Sequence, residues 1–222
     1  MFRIKICGVR TISDLDAVAR SGADAIGLNF FPPSLRFVDP TYQSTIELSE
    51  NAASLGLMRV GVFVNRTPQQ IERLAQQVEL DAVQLHGDEP AESAATWSGL
   101  GLPIIRAIKL PRNELTPEEI ESLCKPWISV GCHPLFDAEV GGSHGGLGHS
   151  LDWNSLGSWS KRNSQQAFSL AGGLHPENVA TAINTTGTRS VDTASGAEEP
   201  RGTKSRKKIA DFVSACRKTP NW

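Results

Sequence analysis

The sequence predicts a single-domain α/β fold, a (β/α)8 barrel. Short apolar segments typical of strands alternate with segments that carry helix caps or helical periodicity. This strict alternation occurs eight times along the chain, which indicates a parallel sheet with right-handed crossovers. The 222 residues match the length of one closed barrel, so residues 1–222 are interpreted as one domain. The tail, residues 217–222, shows no pattern and is expected to fray.

The first strand–helix unit shows these signals most clearly. Polar and apolar residues alternate over residues 3–7 and Gly8 follows, which predicts a strand that ends at Cys7. The next helix has Thr11 or Ser13 as its N-cap and ends at Gly22. The other units of the first half place strands at 24–30, 58–64 and 82–86, and helices at 40–54, from 67 onwards, and at 89–98.

The second half of the chain repeats the alternation. Strands are predicted at 103–110, 127–137, 168–171 and 190–193, and helices at 116–124, from 152 onwards, at 176–183 and at 204–216. A glycine-rich loop, residues 138–151, follows the sixth strand. Period-2 spacing points Lys5, Gln84, Arg106 and Asp192 into the barrel. Because buried charges must be paired, we expect an ion pair between Lys5 and Asp192 inside the barrel.

Composition argues against several classes of function. The net charge of -2 disfavours a nucleic-acid partner, and no apolar run is long enough to cross a membrane. Cys7, Cys124, Cys132 and Cys216 form no C-x-x-C pair, which indicates a reduced, cytoplasmic protein. The histidines lack metal-ligand spacing and no nucleotide-binding glycine pattern follows a strand, so neither a metal nor a cofactor is predicted. The sequence is compatible with both a monomer and a homodimer.

All strand ends of such a barrel open on one face, where active sites are built. Cys7 and Asp137 end strands one and six, so a thiol and a carboxyl form a candidate acid–base pair. The alternatives are a buried structural thiol and a helix cap or surface carboxylate. To act as a base near neutral pH, the thiol needs a pKa below its usual value of about 8.5, and either Arg36 or the developing charge of the substrate could lower it. The alternative for Arg36, on the loop after strand two, is a solvated charge. His86 and Asp192 are the further candidates for binding a substrate.

Two glycine-containing loops follow strands seven and eight. They carry Gly172 with Gly173 and Ser195 with Gly196. In barrels, this pair of loops often binds a phosphate through backbone N–H groups, which glycine allows to approach closely. The alternative is that the glycines only form tight turns. Because both loops carry the signal, phosphate binding is the favoured interpretation.

Several segments of the chain, in order, resemble the phosphoribosylanthranilate isomerase family of tryptophan synthesis. They are residues 5–8, 22–30, 34–38, 60–65, 83–87, 172–179 and 191–196. The resemblance covers nearly the whole chain. It implies a (β/α)8 barrel of the TIM type, and an isomerase that acts on one small phosphorylated substrate without a cofactor.

The resemblance also implies a reaction, the Amadori rearrangement of N-(5-phosphoribosyl)anthranilate. Asp137 would protonate the ribose ring oxygen as general acid, and Cys7 would then remove the C2 proton as general base. Arg36 would hold the anthranilate carboxylate, which suits the forked geometry of a guanidinium. The two glycine loops would hold the 5-phosphate.

The chain departs from the family pattern near the predicted site. Leu147 stands where the glycine-rich loop of the family has Ser or Thr, residues 139–144 lengthen that loop, and Ala194 stands where Ser is common. A related barrel isomerase of histidine synthesis is one alternative, but it has an acidic residue in place of Cys7 and a larger substrate with two phosphates. A catalytically idle barrel that acts as a binding module is the other, and Leu147 and Ala194 are its only indications.

Overall fold

The structure is a computed structural model that describes residues 1–97, 99–111, 114–138, 151–220 and 222. Eight parallel strands form a closed barrel in which each strand pairs with its neighbours in sequence and β8 pairs with β1. The predicted fold class is therefore confirmed. The strands are β1 (Ile4–Cys7), β2 (Ala25–Asn29), β3 (Met58–Phe63), β4 (Ala82–Leu85), β5 (Ile104–Leu110), β6 (His133–Ala138), β7 (Ser169–Leu170) and β8 (Val191–Thr193).

A helix follows each strand and packs on the outside of the barrel. The helices are α1 (Ile12–Ser21), α2 (Gln43–Ser54), α3 (Pro68–Gln77), α4 (Ala94–Trp97), α5 (Pro117–Ile128), α6 (Trp153–Arg162), α7 (Val179–Thr186) and α8 (Arg206–Arg217). Among the described residues, no helix is long and apolar enough to cross a membrane.

Local sequence determines where several helices begin. Thr11 is the N-cap of α1, and its hydroxyl accepts from the backbone N–H of Asp14, whose carboxylate accepts in return from the N-cap backbone. Thr67 and Thr116 form the same reciprocal capping box at α3 and α5. Gly22 ends α1 in the left-handed conformation that glycine adopts without strain.

Several predicted boundaries differ from the structure by a few residues, and two of the differences have identifiable reasons. The sixth strand begins at His133, not at residue 127, because α5 continues to Ile128 and buries Trp127 against the barrel. The predicted helix at 89–98 is a 3-10 turn, Ala91–Ser93, followed by the single turn of α4. A proline at position 90 disfavours helical geometry for the residue before it, so Glu89 lies outside the helix.

The barrel interior contains the predicted ion pair but not all of the polar side chains that were expected there. Lys5 Nζ lies 2.9 Å from Asp192 Oδ2, and the Lys5 side chain is fully buried, so the predicted ion pair is confirmed. Arg106, however, does not point inward. It forms an ion pair with Glu89 and lies 4.6 Å from the centre of the Trp127 ring, in the layer between strands and helices. Its strand neighbours Ile105 and Ala107 occupy the interior instead.

The end of the chain contacts the amino-terminal side of the barrel. Thr219 is buried, and the Trp222 ring lies 5.2 Å from the Arg3 guanidinium. Thr219 and Trp222 lie in the segment for which the sequence predicts fraying, and fraying there stays a prediction.

Candidate active site

A cavity of about 400 Å³ opens at the carboxyl ends of the strands. Most of the side chains and glycines that the sequence analysis selected line this cavity: Cys7, Arg36, His86, Asp137, Gly172, Gly173, Asp192 and Ser195. Gly196 is the exception, because it does not line the cavity. A Cβ on Gly196 would lie 1.9 Å from the Leu174 carbonyl oxygen, so this glycine allows the loops after β7 and β8 to pack together.

Cys7 ends β1 with its thiol in the cavity and is only 8% exposed. Its neighbour across the sheet is Gly27, where a Cβ would lie 2.6 Å from Sγ, so the absence of a side chain there makes room for the sulfur. Burial raises the pKa of the Cys7 thiol, and the negative charge of Asp192 adds to this effect. The cations Lys5, Lys204 and Arg36 oppose it without reversing it. Arg36 thus lowers the pKa of the thiol, as the sequence suggests, but in the free protein it does not bring that pKa below its usual value.

Asp137 lies on β6 and directs its carboxyl group into the same cavity. Its Oδ1 accepts from the backbone N–H of Ala138 at 2.8 Å, and its Oδ2 lies 3.3 Å from His86 Nε2. Gly172 passes directly behind this carboxyl group, since a Cβ on Gly172 would lie 2.9 Å from Oδ1. Asp137 is therefore a held carboxyl group in the cavity and not a helix cap.

A chain of polar contacts links His86 to the barrel interior. The Gln84 amide nitrogen lies 2.9 Å from His86 Nδ1, and Gln84 Oε1 accepts from Lys5 Nζ at 2.6 Å. Lys5 then contacts Asp192 Oδ2. Asp192 Oδ1 is buried and has no hydrogen-bond partner among the described residues. An acceptor of this kind beside the cavity is available to a substrate hydroxyl group.

Arg36 reaches the cavity but is held by a carboxylate of the protein. Its Nε and Nη2 donate to Glu198 Oε1 and Oε2 at 2.6 and 2.8 Å. This bidentate pair occupies the Nε and Nη2 atoms of the guanidinium group. The Nη1 atom has no hydrogen bond to a described residue. The sequence analysis did not identify Glu198, although its place just after Ser195 and Gly196 in the loop beyond β8 was the available signal.

Lys204 is the second cation on Glu198 and was also missed. Its Nζ lies 2.9 Å from Glu198 Oε1, donates to the Ala194 carbonyl at 2.8 Å, and belongs to a side chain that is 2% exposed. Burial lowers the pKa of Lys204, and the adjacent Glu198 carboxylate opposes this shift. Although burial alone would raise it, the pKa of Glu198 falls to about 2, because Arg36, Lys204 and the N–H of Gly202 all favour the carboxylate. Two cations, Arg36 and Lys204, thus surround one buried carboxylate, and of these three side chains only Arg36 lines the cavity.

The two glycine loops differ in their backbone conformations. Gly172 and Gly173 both have positive φ, at 80° and 68°. Neither N–H donates to a described residue, so both remain available to an anion. Ser195 opens a 3-10 turn, Ser195–Ala197, on the neighbouring loop.

Some of the predicted features lie outside the described residues. They include Leu147, the surrounding glycines and the two histidines at positions 144 and 149. Within the described ranges, no group of three or more His, Cys, Asp or Glu side chains is arranged to hold a metal ion.

The fold and the site define a class of protein, the (β/α)8-barrel enzymes that act on small molecules at the carboxyl ends of their strands. The family model described as N-(5'phosphoribosyl)anthranilate (PRA) isomerase matches residues 4–215. Because this match spans nearly the whole chain, the chain belongs to that family, and it is an isomerase of tryptophan biosynthesis.

Individual relatives agree with the family match. N-(5'-phosphoribosyl)anthranilate isomerase of Zygosaccharomyces bailii is 38% identical over 210 residues, which cover 94% of this chain and 95% of the relative. The solved phosphoribosylanthranilate isomerase of Thermotoga maritima superimposes with a TM-score of 0.82 at 32% identity, covering 98% of this chain and 99% of the other. A further solved isomerase, in complex with reduced 1-(o-carboxyphenylamino)-1-deoxyribulose 5-phosphate, has a TM-score of 0.79 at 31% identity and the same coverage.

Proposed function

We propose that this isomerase converts N-(5'-phosphoribosyl)anthranilate into 1-(2-carboxyphenylamino)-1-deoxyribulose 5-phosphate by an Amadori rearrangement. The observation that carries the proposal is that the Cys7 thiol and the Asp137 carboxyl line one cavity, which also contains the backbone of Gly172 and Gly173. A relative of known structure binds the reduced form of this product, which supports the same substrate here.

In the proposed reaction, Asp137 acts first as general acid. It protonates the ribose ring oxygen, the C1–O bond breaks, and the nitrogen lone pair forms a cationic Schiff base with C1. Cys7 then removes the proton from C2, and the electron pair of that C–H bond neutralises the nitrogen to give an enolamine. The enolamine tautomerises to the ketone, and exchange of protons with solvent restores both side chains. A positioned acid or base of this kind typically contributes about 10²–10⁴-fold.

The raised pKa of Cys7 fits this order of steps. A thiol with a raised pKa is protonated at neutral pH and does not act as a base by itself. Ring opening creates a positive charge on the substrate beside the sulfur, and a nearby positive charge favours the thiolate. Lys5, which lies on the same strand and already favours the thiolate, adds to this effect. We therefore propose that the Cys7 thiol releases its proton to solvent in the enzyme–substrate complex, once the ring has opened, and that the resulting thiolate then accepts the proton from C2.

The substrate's charged ends have matching partners at the cavity mouth. We assign the anthranilate carboxylate to the Nη1 corner of Arg36, which Glu198 leaves available. We assign the 5-phosphate to the backbone N–H groups of Gly172 and Gly173 and to the turn at Ser195.

The cavity size favours this substrate over that of the histidine-pathway isomerase. A volume of about 400 Å³ lies towards the small end of the range of roughly 300–1,000 Å³ for small-molecule sites, which suits one phosphate better than two. The four cysteines are all free and buried, and this supports our proposal that the protein works in a reducing compartment, the cytoplasm.

The test follows the loss of substrate fluorescence after the purified protein is mixed with freshly generated phosphoribosylanthranilate. We expect turnover by the parent, and a loss of about 10²-fold or more in kcat for Cys7→Ala and for Asp137→Asn. Circular dichroism of both variants is the control for folding. Normal turnover by either variant would remove the role assigned to that residue, and an inactive parent would favour the idle barrel.

A further inference from the structure

The polar chain Asp192–Lys5–Gln84–His86–Asp137 crosses the barrel from β8 to β6. It links five residues on or just beyond four strands. Asp192 Oδ2 lies 2.9 Å from Lys5 Nζ, which lies 2.6 Å from Gln84 Oε1. Gln84 Nε2 lies 2.9 Å from His86 Nδ1, and His86 Nε2 lies 3.3 Å from Asp137 Oδ2. Lys5 is fully buried and Gln84 is 1% exposed, so the inner members of the chain are shielded from water. In such surroundings each contact must join a hydrogen-bond donor to an acceptor. Two donors or two acceptors that face each other would lose the free energy of their hydration without gaining a hydrogen bond.

The direction of every hydrogen bond in this chain follows from Lys5. An ammonium group donates only, so Gln84 must present its carbonyl Oε1 to Lys5 Nζ. The Gln84 amide NH2 group then faces His86 Nδ1, and it can only donate. His86 Nδ1 must therefore accept. In the neutral ring the proton then resides on Nε2, which faces Asp137 Oδ2.

We propose that Gln84 is a positioning residue that fixes the tautomer of His86, so that the protonated Nε2 always faces Asp137. The opposite tautomer would turn Nε2 into an acceptor. It would then draw the acidic proton of Asp137 onto the His86 side and away from the substrate. With the tautomer fixed, the protonated Nε2 faces Oδ2 at 3.3 Å, and Oδ1 accepts from the N–H of Ala138, so that the carboxyl group stays directed towards the cavity. This inference rests on the proposed role of Asp137 as the acid.

The first test measures the tautomer directly and needs no substrate. In protein labelled with ¹⁵N-histidine, two-bond ¹⁵N–¹H correlation spectra distinguish a ring protonated on Nε2 from one protonated on Nδ1. We expect the Nε2–H form for His86 in the parent and a mixture of the two forms in Gln84→Met, which keeps the side-chain volume. Disappearance of its signals in His86→Gln assigns the resonances. An Nδ1–H form in the parent would overturn the proposal, whether or not the variant folds.

The second test measures kinetics on the same variants. We expect kcat of Gln84→Met to fall by at least about tenfold while KM changes less than about threefold, as for other partners that orient a reacting group. The matched control is Gln77→Met at the end of α3, which removes a similar amide hydrogen bond, to the Pro40 carbonyl, outside the cavity. Its kcat should equal that of the parent. Unchanged kcat in Gln84→Met would also overturn the proposal.

The two tests separate this inference from the proposed function. An inactive parent whose His86 is in the Nε2–H form would refute the proposed function alone. An active parent with an Nδ1–H ring would refute the role of Gln84 alone.

Discussion

Cys7 is a residue whose chemistry depends on its surroundings more than on its identity. In water a thiol has a pKa of about 8.5, whereas burial in the barrel mouth raises the pKa of Cys7 despite three nearby cations. Arg36 and Lys204, which both pair with Glu198, lower the pKa of the thiol but do not outweigh its burial. In the free protein, therefore, the thiolate is a minor form at neutral pH.

The protonation of Cys7 can be measured by alkylation with iodoacetamide in the absence of substrate. Because only the thiolate reacts, the rate at Cys7 should rise about tenfold per pH unit and should not level off below about pH 8.5. Mass spectrometry of the Cys7 peptide gives the rate, and Cys7→Ser measures the background from the three other buried cysteines. A rate that becomes constant below pH 8 would contradict the raised pKa.

At the scale of elements, the loops after β2 and β8 are joined by the Arg36–Glu198 pair. The sequence placed Arg36 on the first loop, but not its partner on the second, because the contact joins positions 162 residues apart. Removing one partner of a buried ion pair leaves an uncompensated charge, while Lys204 still offsets part of the charge on Glu198.

Two variants of Arg36 should separate loop stability from substrate binding. Arg36→Lys keeps a positive charge for Glu198 but has no second edge for a carboxylate, so KM should rise at least about tenfold with little loss of stability. Arg36→Ala should raise KM further, because about 2–5 kcal/mol is lost when a buried carboxylate has no partner. It should also lower the free energy of unfolding by about 1–3 kcal/mol, since Glu198 loses a partner. Steady-state kinetics and urea unfolding measure the two effects, and an unchanged KM in Arg36→Lys would contradict the assignment.

The sequence predicted most of the strands and helices. The errors concern residues whose type suits two locations equally well, either two faces of a strand or two kinds of element. Lys5 and Asp192 were paired correctly because β1 and β8 must meet when the barrel closes. Arg106 was placed on the wrong face, since a single-residue shift of register exchanges the two faces of a strand. Trp127 was read as part of a strand, because apolar content alone does not distinguish a strand from the buried end of a helix. Gln84 was oriented correctly, but its effect on His86 depends on hydrogen-bond directions that only the coordinates give.

Over the whole molecule, the two ends of the barrel have different tasks. The carboxyl ends hold the cavity, whereas the amino ends hold groups that affect stability. His133, the first residue of β6, lies at the amino end and pairs across the sheet with Ile105. Its Nε2 contacts the Ser169 hydroxyl at 2.9 Å, which in turn contacts the Ser190 hydroxyl at 2.6 Å. Burial lowers the pKa of His133 to about 4, and the positive N-terminus contributes to this shift.

His133 should therefore make the barrel sensitive to acid without affecting catalysis. The unfolded chain takes up the proton near pH 6.5 and the folded chain only near pH 4, so stability is complete above pH 6.5 and decreases between these values. The two pKa values correspond to a loss of about 2–3 kcal/mol by pH 4.5, at about 1.4 kcal/mol per unit. In His133→Gln, whose amide does not titrate, the fall in unfolding free energy from pH 7.5 to pH 4.5 should be smaller by that amount.

Urea unfolding at both pH values measures this difference in unfolding free energy. As a control, kcat of the variant at pH 7.5 should remain that of the parent, because the cavity is at the opposite end of the barrel. Equal pH dependence in the two proteins would show that His133 is not the group responsible.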